Sequence, residues 1–285
     1  MAEMTLTEVY RSGKAELEAA GVPDADVDSL CLLEHIFGAD RTALILHGDR
    51  LADSALCRRF FSAVDERKTG RPLQYIIGKW NFMGFDFYVG EGVLIPRDDT
   101  EIAAEKAIEL AKAAARPRVL DLCSGSGAIA VTLARLLPES DVTALELSDK
   151  ALAFLEKNVK LNDAANVTVI KGDVTKDFDS FEDESFDLIV SNPPYIITKQ
   201  IDTLQRELAF EPRMALDGGE DGLFFYREIT KKWKTKLRHG GALVYETGED
   251  EHEPVAACMA ENGFERIGFE LDLQGFKRAT FGFRV

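Results

Sequence analysis

Residues 119–127 read VLDLCSGSG: an apolar run that passes through Asp121, Leu122, Cys123 and Ser124 into Gly125-Ser126-Gly127, after which AIAVTLARLL (128–137) takes up helical periodicity. Strand, glycine turn and helix in that order form the opening unit of a doubly wound sheet, where a ligand comes close enough to the backbone to require glycine. A dinucleotide fold begins the same way, so the turn alone does not choose. Two details do. The third glycine of the dinucleotide pattern is absent, because Gly127 is followed by Ala128-Ile129-Ala130, and Asp121 precedes the turn. That carboxylate repels a pyrophosphate and attracts the cationic methionine end of S-adenosylmethionine.

Downstream, short apolar runs alternate with helical segments. DVTALEL (141–147), VTVIKGD (167–173), FDLIVSNPPYI (186–196) and ALVYETG (242–248) read as strands, while KALAFLEKNVKLN (150–162) and FFYREITKKWKTKLRHGG (224–241) read as helices. This alternation predicts an α/β, Rossmann-like domain with a mostly parallel sheet. ERIGFELDL (265–273) and RATFGFRV (278–285) lie close together and predict an antiparallel hairpin at the sheet edge.

Upstream, apolar residues recur at helical spacing from Leu6 to about Gly70, punctuated at Gly21-Val22-Pro23 and Gly38-Ala39-Asp40. A small helical bundle follows, with Asp24 and Asp40 as expected helix N-caps and His35 packed within its helix. NFMGFDFYVGEGVLIP (81–96) alternates aromatic and β-branched residues between glycines, the pattern of a β-hairpin. The expected organisation is a helical domain over 1–76, a hairpin linker over 77–98 and a catalytic domain over 99–285.

Each strand end offers a ligand-facing group. Glu146, some 20 residues beyond the glycines, suits ribose hydroxyls. Asp173 is placed to accept from an adenine amine, with Val174 beside the ring. Strand FDLIVS delivers Asn192-Pro193-Pro194-Tyr195 at its carboxyl end, the edge where open α/β sheets bind ligands. An amide or aromatic amine nitrogen is a poor nucleophile because its lone pair is delocalised. The Asn192 side-chain carbonyl and the Pro193 backbone carbonyl offer acceptors for its two N–H bonds, holding the nitrogen in line with the methyl. The two prolines preorganise those acceptors, and Tyr195 is expected against the planar group.

Composition narrows the partners. Lys and Arg number 34 against 50 Asp and Glu, a formal net charge of -16, which disfavours a polyanionic ligand. Cys31, Cys57, Cys123 and Cys258 lie far apart, with no metal-ligand spacing to the four histidines, so reduced thiols and no metal are expected. The N-terminal residues MAEMTLTEVY have neither a basic start nor an apolar run, and a cytoplasmic monomer without membrane attachment is expected.

The chain resembles the release factor glutamine methyltransferases (PrmC/HemK) over nearly its full length. The resemblance rests on RPLQYIIG (71–78), FMGFDFYVGEGVLIPRDDTE (82–101), DLCSGSGAIA (121–130), SNPPYI (191–196) and EPRMALDGGEDGL (211–223). It implies a seven-stranded class I methyltransferase domain behind a helical substrate-recognition domain. The implied reaction is methyl transfer from S-adenosylmethionine to the Gln amide nitrogen in the Gly-Gly-Gln motif of peptide chain release factors. S-Adenosylhomocysteine is the second product. The cofactor positions so implied are Cys123 to Gly127, Glu146, Val174 and Asn192, with Leu94 near the methionine part and Asn192 to Tyr195 binding the glutamine.

Three positions depart from the family pattern: Cys123 where glycine is usual, Asp98 in place of a proline-like residue, and Glu146 where Asp is usual. The rival readings are a nucleic-acid amino-methyltransferase, which the charge disfavours, and a non-catalytic S-adenosylmethionine-binding protein, which has no use for an intact Asn-Pro-Pro.

Overall fold

A computed structural model describes residues 3–285. The chain divides into two compact units, one taking the chain up to Gly78 together with Gln205–Phe210, the other Lys79–Leu204 with Glu211–Val285.

In the first unit, α1 (Leu6–Ala19) opens with a capping box in which the Thr5 side chain and Glu8 satisfy each other's backbone N–H groups. Helix α2 (Ala25–Phe37) closes on Gly38 in the left-handed region, as a C-terminal glycine allows. Then follow α3 (Arg41–His47), α4 (Ser54–Lys68) and α5 (Leu73–Ile77). Asp40 caps α3 through the Ala43 N–H, but Asp24 makes no capping bond and Asp53 caps α4 instead. His35 is exposed rather than packed. Leu17, Leu32, Leu33, Phe60 and Val64 are fully buried and form the apolar centre.

Arg67 is buried, where an unpaired charge is costly. Its Nε donates to Asp28 Oδ2 at 2.6 Å and its Nη2 to Glu207 Oε1 at 2.9 Å, so the distant segment 205–210 helps to pair it. The RPLQYIIG motif is structural: Leu73 and Tyr75 are buried, and Gly78 ends α5 at φ 77°.

The second unit starts with the hairpin β1 (Lys79–Phe82) and β2 (Phe85–Tyr88), turning through Met83 and Gly84, both at positive φ. Phe82 and Phe87 sink into the main core. Then come α6 (Asp98–Ala111), β3 (Arg118–Leu122), α7 (Ala128–Leu136), β4 (Asp141–Glu146), α8 (Asp149–Leu161), β5 (Val167–Lys171) and β6 (Phe186–Ser191). The chain continues through α9 (Thr198–Ile201), α10 (Phe224–Trp233), β7 (Leu237–Glu246), α11 (His252–Glu261), β8 (Phe264–Leu271) and β9 (Lys277–Arg284).

The sheet order is β5-β4-β3-β6-β7-β9-β8, with β9 antiparallel to β7 and to β8, and the other pairs parallel. One strand differs from its sequence reading: β7 begins at Leu237, inside a stretch that reads as helix. A register shift between Phe186 and Leu188 and a left-handed Gly240 absorb the irregular start. Two apolar layers cover the sheet, Ala103, Ala107 and Leu133 on one face, and Tyr226, Ile229, Trp233 and Met259 on the other. The parallel strands therefore end together at one edge, where the chain reversal between β3 and β6 opens a crevice.

Candidate active site

A cavity of about 300 Å³ opens at that edge. It is lined by Leu94, Thr100, Asp121, Cys123, Ser124, Gly125, Ser126, Glu146, Asp173, Val174, Asn192 and Pro194, among others. Most residues singled out from the sequence therefore share one wall. Gly127, Pro193 and Tyr195 are not among the lining residues.

The glycine turn is built for two separate reasons. Gly125 (φ 55°) has open space where a side chain would project, and Gly127 (φ 82°) has none, because a Cβ there would lie 2.2 Å from Leu155 Cδ1. Gly127 thus serves the packing of α7 against α8, and Gly125 leaves room in the cavity. Cys123 also sits in the left-handed region, at φ 61°, a conformation costing a non-glycine residue about 1 kcal/mol. Asn158, fully buried on α8, donates to Ser126 O at 2.9 Å and Tyr88 O at 3.0 Å, tying the turn to the hairpin.

Asp121 is buried beneath the turn. Its Oδ2 accepts from the Ala130 N–H at 3.1 Å near the start of α7, while Oδ1 has no partner. Burial pushes its carboxyl up to about 7, and the nearby Glu146 charge adds to the shift. Such a group is half-ready to ionise, and its Oδ1 lacks a partner. Glu146 Oε2 accepts from Gly125 N at 2.8 Å and Oε1 from Ser148 N at 2.7 Å, which fixes the carboxylate while each oxygen keeps a lone pair.

Asp173 lines the cavity with its oxygens already engaged. Its Oδ1 accepts from the Thr175 N–H and hydroxyl, and Oδ2 pairs with Lys176 at 2.7 Å. Partial burial would raise this carboxyl, but the Lys176 and Thr175 bonds outweigh it and hold it below the ordinary value. Both oxygens serve the loop before they serve a ligand. Val174 is held from behind, its carbonyl accepting from the buried Trp233 indole at 2.8 Å. Leu94 reaches the cavity because Gly90 and Gly92 let the chain pass over α8; Cβ atoms there would meet Phe154 at 2.8 Å and Lys150 at 2.4 Å. Glu211 latches this segment, accepting from Ile95 N at 3.1 Å and pairing with Arg97.

At the end of β6, Asn192 Nδ2 donates to Thr100 Oγ1 at 3.3 Å, which turns Oδ1 away from Thr100 and leaves it as an acceptor. Two main-chain bonds fix the following loop, Ile196 N to Leu216 O and Gly218 N to Ile196 O, both 2.8 Å. Tyr195 does not line the cavity. Its hydroxyl donates to the buried Glu246 at 3.2 Å, and the Glu246 charge, with burial, holds it protonated well above a phenol's ordinary value. Glu246, Thr100 and the glycines of 218–222 escape sequence reasoning. The available signal for Glu246 was its place at the carboxyl end of a strand, the criterion that marks Glu146.

The chain is similar in sequence to named relatives. Residues 8–78 match the PrmC N-terminal domain and residues 98–244 the methyltransferase small domain. A release factor glutamine methyltransferase of Geobacter sulfurreducens is 39% identical over 98% of this chain and 96% of its own length. One from Clostridium acetobutylicum is 36% identical over 90% of each. The chain belongs to the release factor glutamine methyltransferase family. A methyltransferase structure from Pyrococcus furiosus superposes with a TM-score of 0.52, covering 81% of this chain and 99% of that one at 17% identity, a likeness of fold. Family membership makes this chain a protein-glutamine N-methyltransferase and gives the cavity at the β3/β6 edge its chemical context. Among the described residues, no helix is long and apolar enough to cross a membrane.

Proposed function

We propose that the cavity holds S-adenosylmethionine and that Asn192-Pro193-Pro194-Tyr195 receives the glutamine of the Gly-Gly-Gln motif of peptide chain release factors. The observation that carries the reading is the Asn192 amide, whose Nδ2 is tied to Thr100 so that Oδ1 is left to accept a substrate N–H. The residues present fit the cofactor. Asp121 Oδ1, buried without a partner, suits an ammonium group; Glu146 suits ribose hydroxyls; Leu94 and Val174 supply apolar wall. With the Asp173 oxygens already engaged, reading of an adenine amine falls to whatever lone pairs that carboxylate keeps. When bound, the cofactor supplies an electrophilic methyl group on a sulfonium.

The chain's own work is orientation. Asn192 Oδ1 and the Pro193 carbonyl accept the two amide N–H bonds, fix the nitrogen's approach and stabilise the positive charge that develops on it. The prolines keep these acceptors rigid before substrate arrives. The helical unit supplies complementary surface for the release factor, whose loop needs no basic groove, in keeping with a chain of net charge -16. A cytoplasmic monomer suits such a substrate.

The test offers labelled S-adenosylmethionine with purified release factor, its Gln-to-Ala loop variant, and RNA. Label is expected on the intact release factor alone, and label on RNA but not on release factor overturns the substrate. Asn192→Ala is expected to lower kcat by about 10²-fold, the scale of one lost transition-state hydrogen bond.

A further inference from the structure

Asn192 works only with its amide the right way round. Turned by 180°, it would offer Nδ2, a donor, to the donors of the substrate amide. The bond from Nδ2 to Thr100 Oγ1 at 3.3 Å selects the useful orientation only if Thr100 accepts there, so the Thr100 proton must point elsewhere. Glu246, at the end of β7, which packs against α6, is only 2% exposed, with Oε1 taken by the Tyr195 hydroxyl at 3.2 Å and Oε2 buried with no hydrogen-bond partner. The Thr100 hydroxyl stands close enough to this carboxyl to favour its charged form.

We propose that Thr100 and Glu246 are positioning residues, the Glu246 carboxylate drawing the Thr100 proton so that Thr100 accepts from Asn192 Nδ2 and Oδ1 faces the substrate. The same carboxylate anchors Tyr195, so both ends of the tetrapeptide depend on one buried charge. Sequence supplies the parts on separate elements: Thr100 in the first turn of α6, Glu246 at the end of β7, Asn192 after β6.

The groups facing Glu246 are Tyr195 from the loop after β6, Asp99 and Thr100 from α6, and Arg278 from β9; Tyr226 from α10 donates to its backbone carbonyl and to Glu251. Burial raises the carboxyl to about 7, the Thr100 and Tyr195 hydroxyls and Arg278 oppose the rise, and Asp99 adds to it. Arg278 is itself fixed by Asp272 at 2.9 Å and Glu249 at 3.3 Å, which gives the closing Asp272-to-Gly275 turn and Arg278 a place in the same network. Protonation of Glu246 turns it into a donor, releases the Thr100 proton toward Asn192 and removes the orientation.

This inference rests on the reading of Asn192 Oδ1 as substrate acceptor. The experiment measures kcat against pH at saturating cofactor for wild type, Thr100→Ser, Thr100→Val, Glu246→Gln and Asn192→Ala, with S-adenosylhomocysteine affinity as the control for folding. Thr100→Val and Glu246→Gln are expected to lower kcat about tenfold or more, on the scale of one hydrogen bond, with the affinity unchanged. Thr100→Ser retains most activity, and the fall of kcat below about pH 7 disappears in Glu246→Gln. If Asn192→Ala is inactive while Thr100→Val and Glu246→Gln keep wild-type kcat and pH profile, the positioning role is wrong and the acceptor reading stands. If Asn192→Ala is itself fully active, the acceptor reading fails first.

Discussion

At the scale of single residues, the cofactor wall is set by two that strain against their surroundings. Asp121 is buried with one oxygen unpaired and a carboxyl near 7, so a proton competes with a bound ammonium group. Affinity for S-adenosylhomocysteine, which carries the same ammonium, is expected to weaken as pH falls below about 7, approaching tenfold per unit. Calorimetry at pH 5.5–8 in buffers of different ionisation enthalpy reads both affinity and proton release. A flat profile in wild type, or an unchanged slope in Asp121→Asn, removes Asp121 from that role. Cys123 stands in the left-handed region at the same wall, yet burial first and the Glu146 charge second push its thiol well above the ordinary range. It should resist alkylation by iodoacetamide in the folded protein at pH 8 and react once the chain is unfolded, read by mass spectrometry. Rapid native labelling of Cys123 contradicts the raised thiol.

Between elements, position is transmitted through backbone rather than side chains. A Cβ on Gly218 would lie 2.5 Å from Tyr195 Cα, 2.6 Å from Tyr195 C and 2.9 Å from Gly222 O, all main-chain atoms that cannot swing aside. Gly218→Ala should therefore shift the Asn192-to-Tyr195 loop. Overpacking of this kind costs about 1–3 kcal/mol, and a shift near 1 Å can cost about 10²-fold in rate. We expect a folded protein that binds S-adenosylhomocysteine normally and turns over about 10²-fold more slowly; wild-type kcat shows instead that the loop tolerates the methyl. This dependence explains what the sequence does and does not disclose. Strands β3, β4 and β6 were legible because each is a short, doubly covered apolar run between helical periods, and Asn192 because it directly follows one of them. The bond between Thr100 and Asn192 spans 92 positions, and the clasp of Gly218 on Ile196 spans 22. Neither leaves a local pattern, since nothing in a helix's first turn or in a glycine pair names its distant partner. Asp24 stands at the N-cap of α2 as read but makes no side-chain bond, for a related reason: any Asp before a helix qualifies in sequence, while the bond depends on backbone angles, here φ -104° and ψ 41°.

For the whole molecule, the buried carboxyls add up to a dependence on pH. Asp121 and Glu246 sit near 7, and burial also raises Asp28, Glu211 and Glu251. A carboxyl raised in the folded state binds more protons there than in the unfolded chain, so its contribution to stability is present at low pH and is lost as pH rises through the folded value. Between pH 8.5 and 6.5 the net charge of -16 acts in the same direction, since protonation relieves self-repulsion. The surface carboxyls held low by lysine or backbone bonds, Asp26 and Asp53 among them, stay ionised throughout this window and do not oppose the trend. Below about 6.5 the buried His252, whose value is lowered by burial, begins to resist its own protonation and limits any further gain. The ligand-free protein should therefore melt about 3–5 °C higher at pH 6.5 than at 8.5, the scale of one or two kcal/mol in a chain of this size. Saturating S-adenosylhomocysteine should narrow the gap, because its ammonium group gives Asp121 the partner it lacks and stabilises the alkaline form more. Thermal melts across that range, with and without the ligand, decide the matter. A melting point that rises with pH, or a gap that the ligand leaves untouched, would mean that the strain of the cofactor wall is not carried by Asp121.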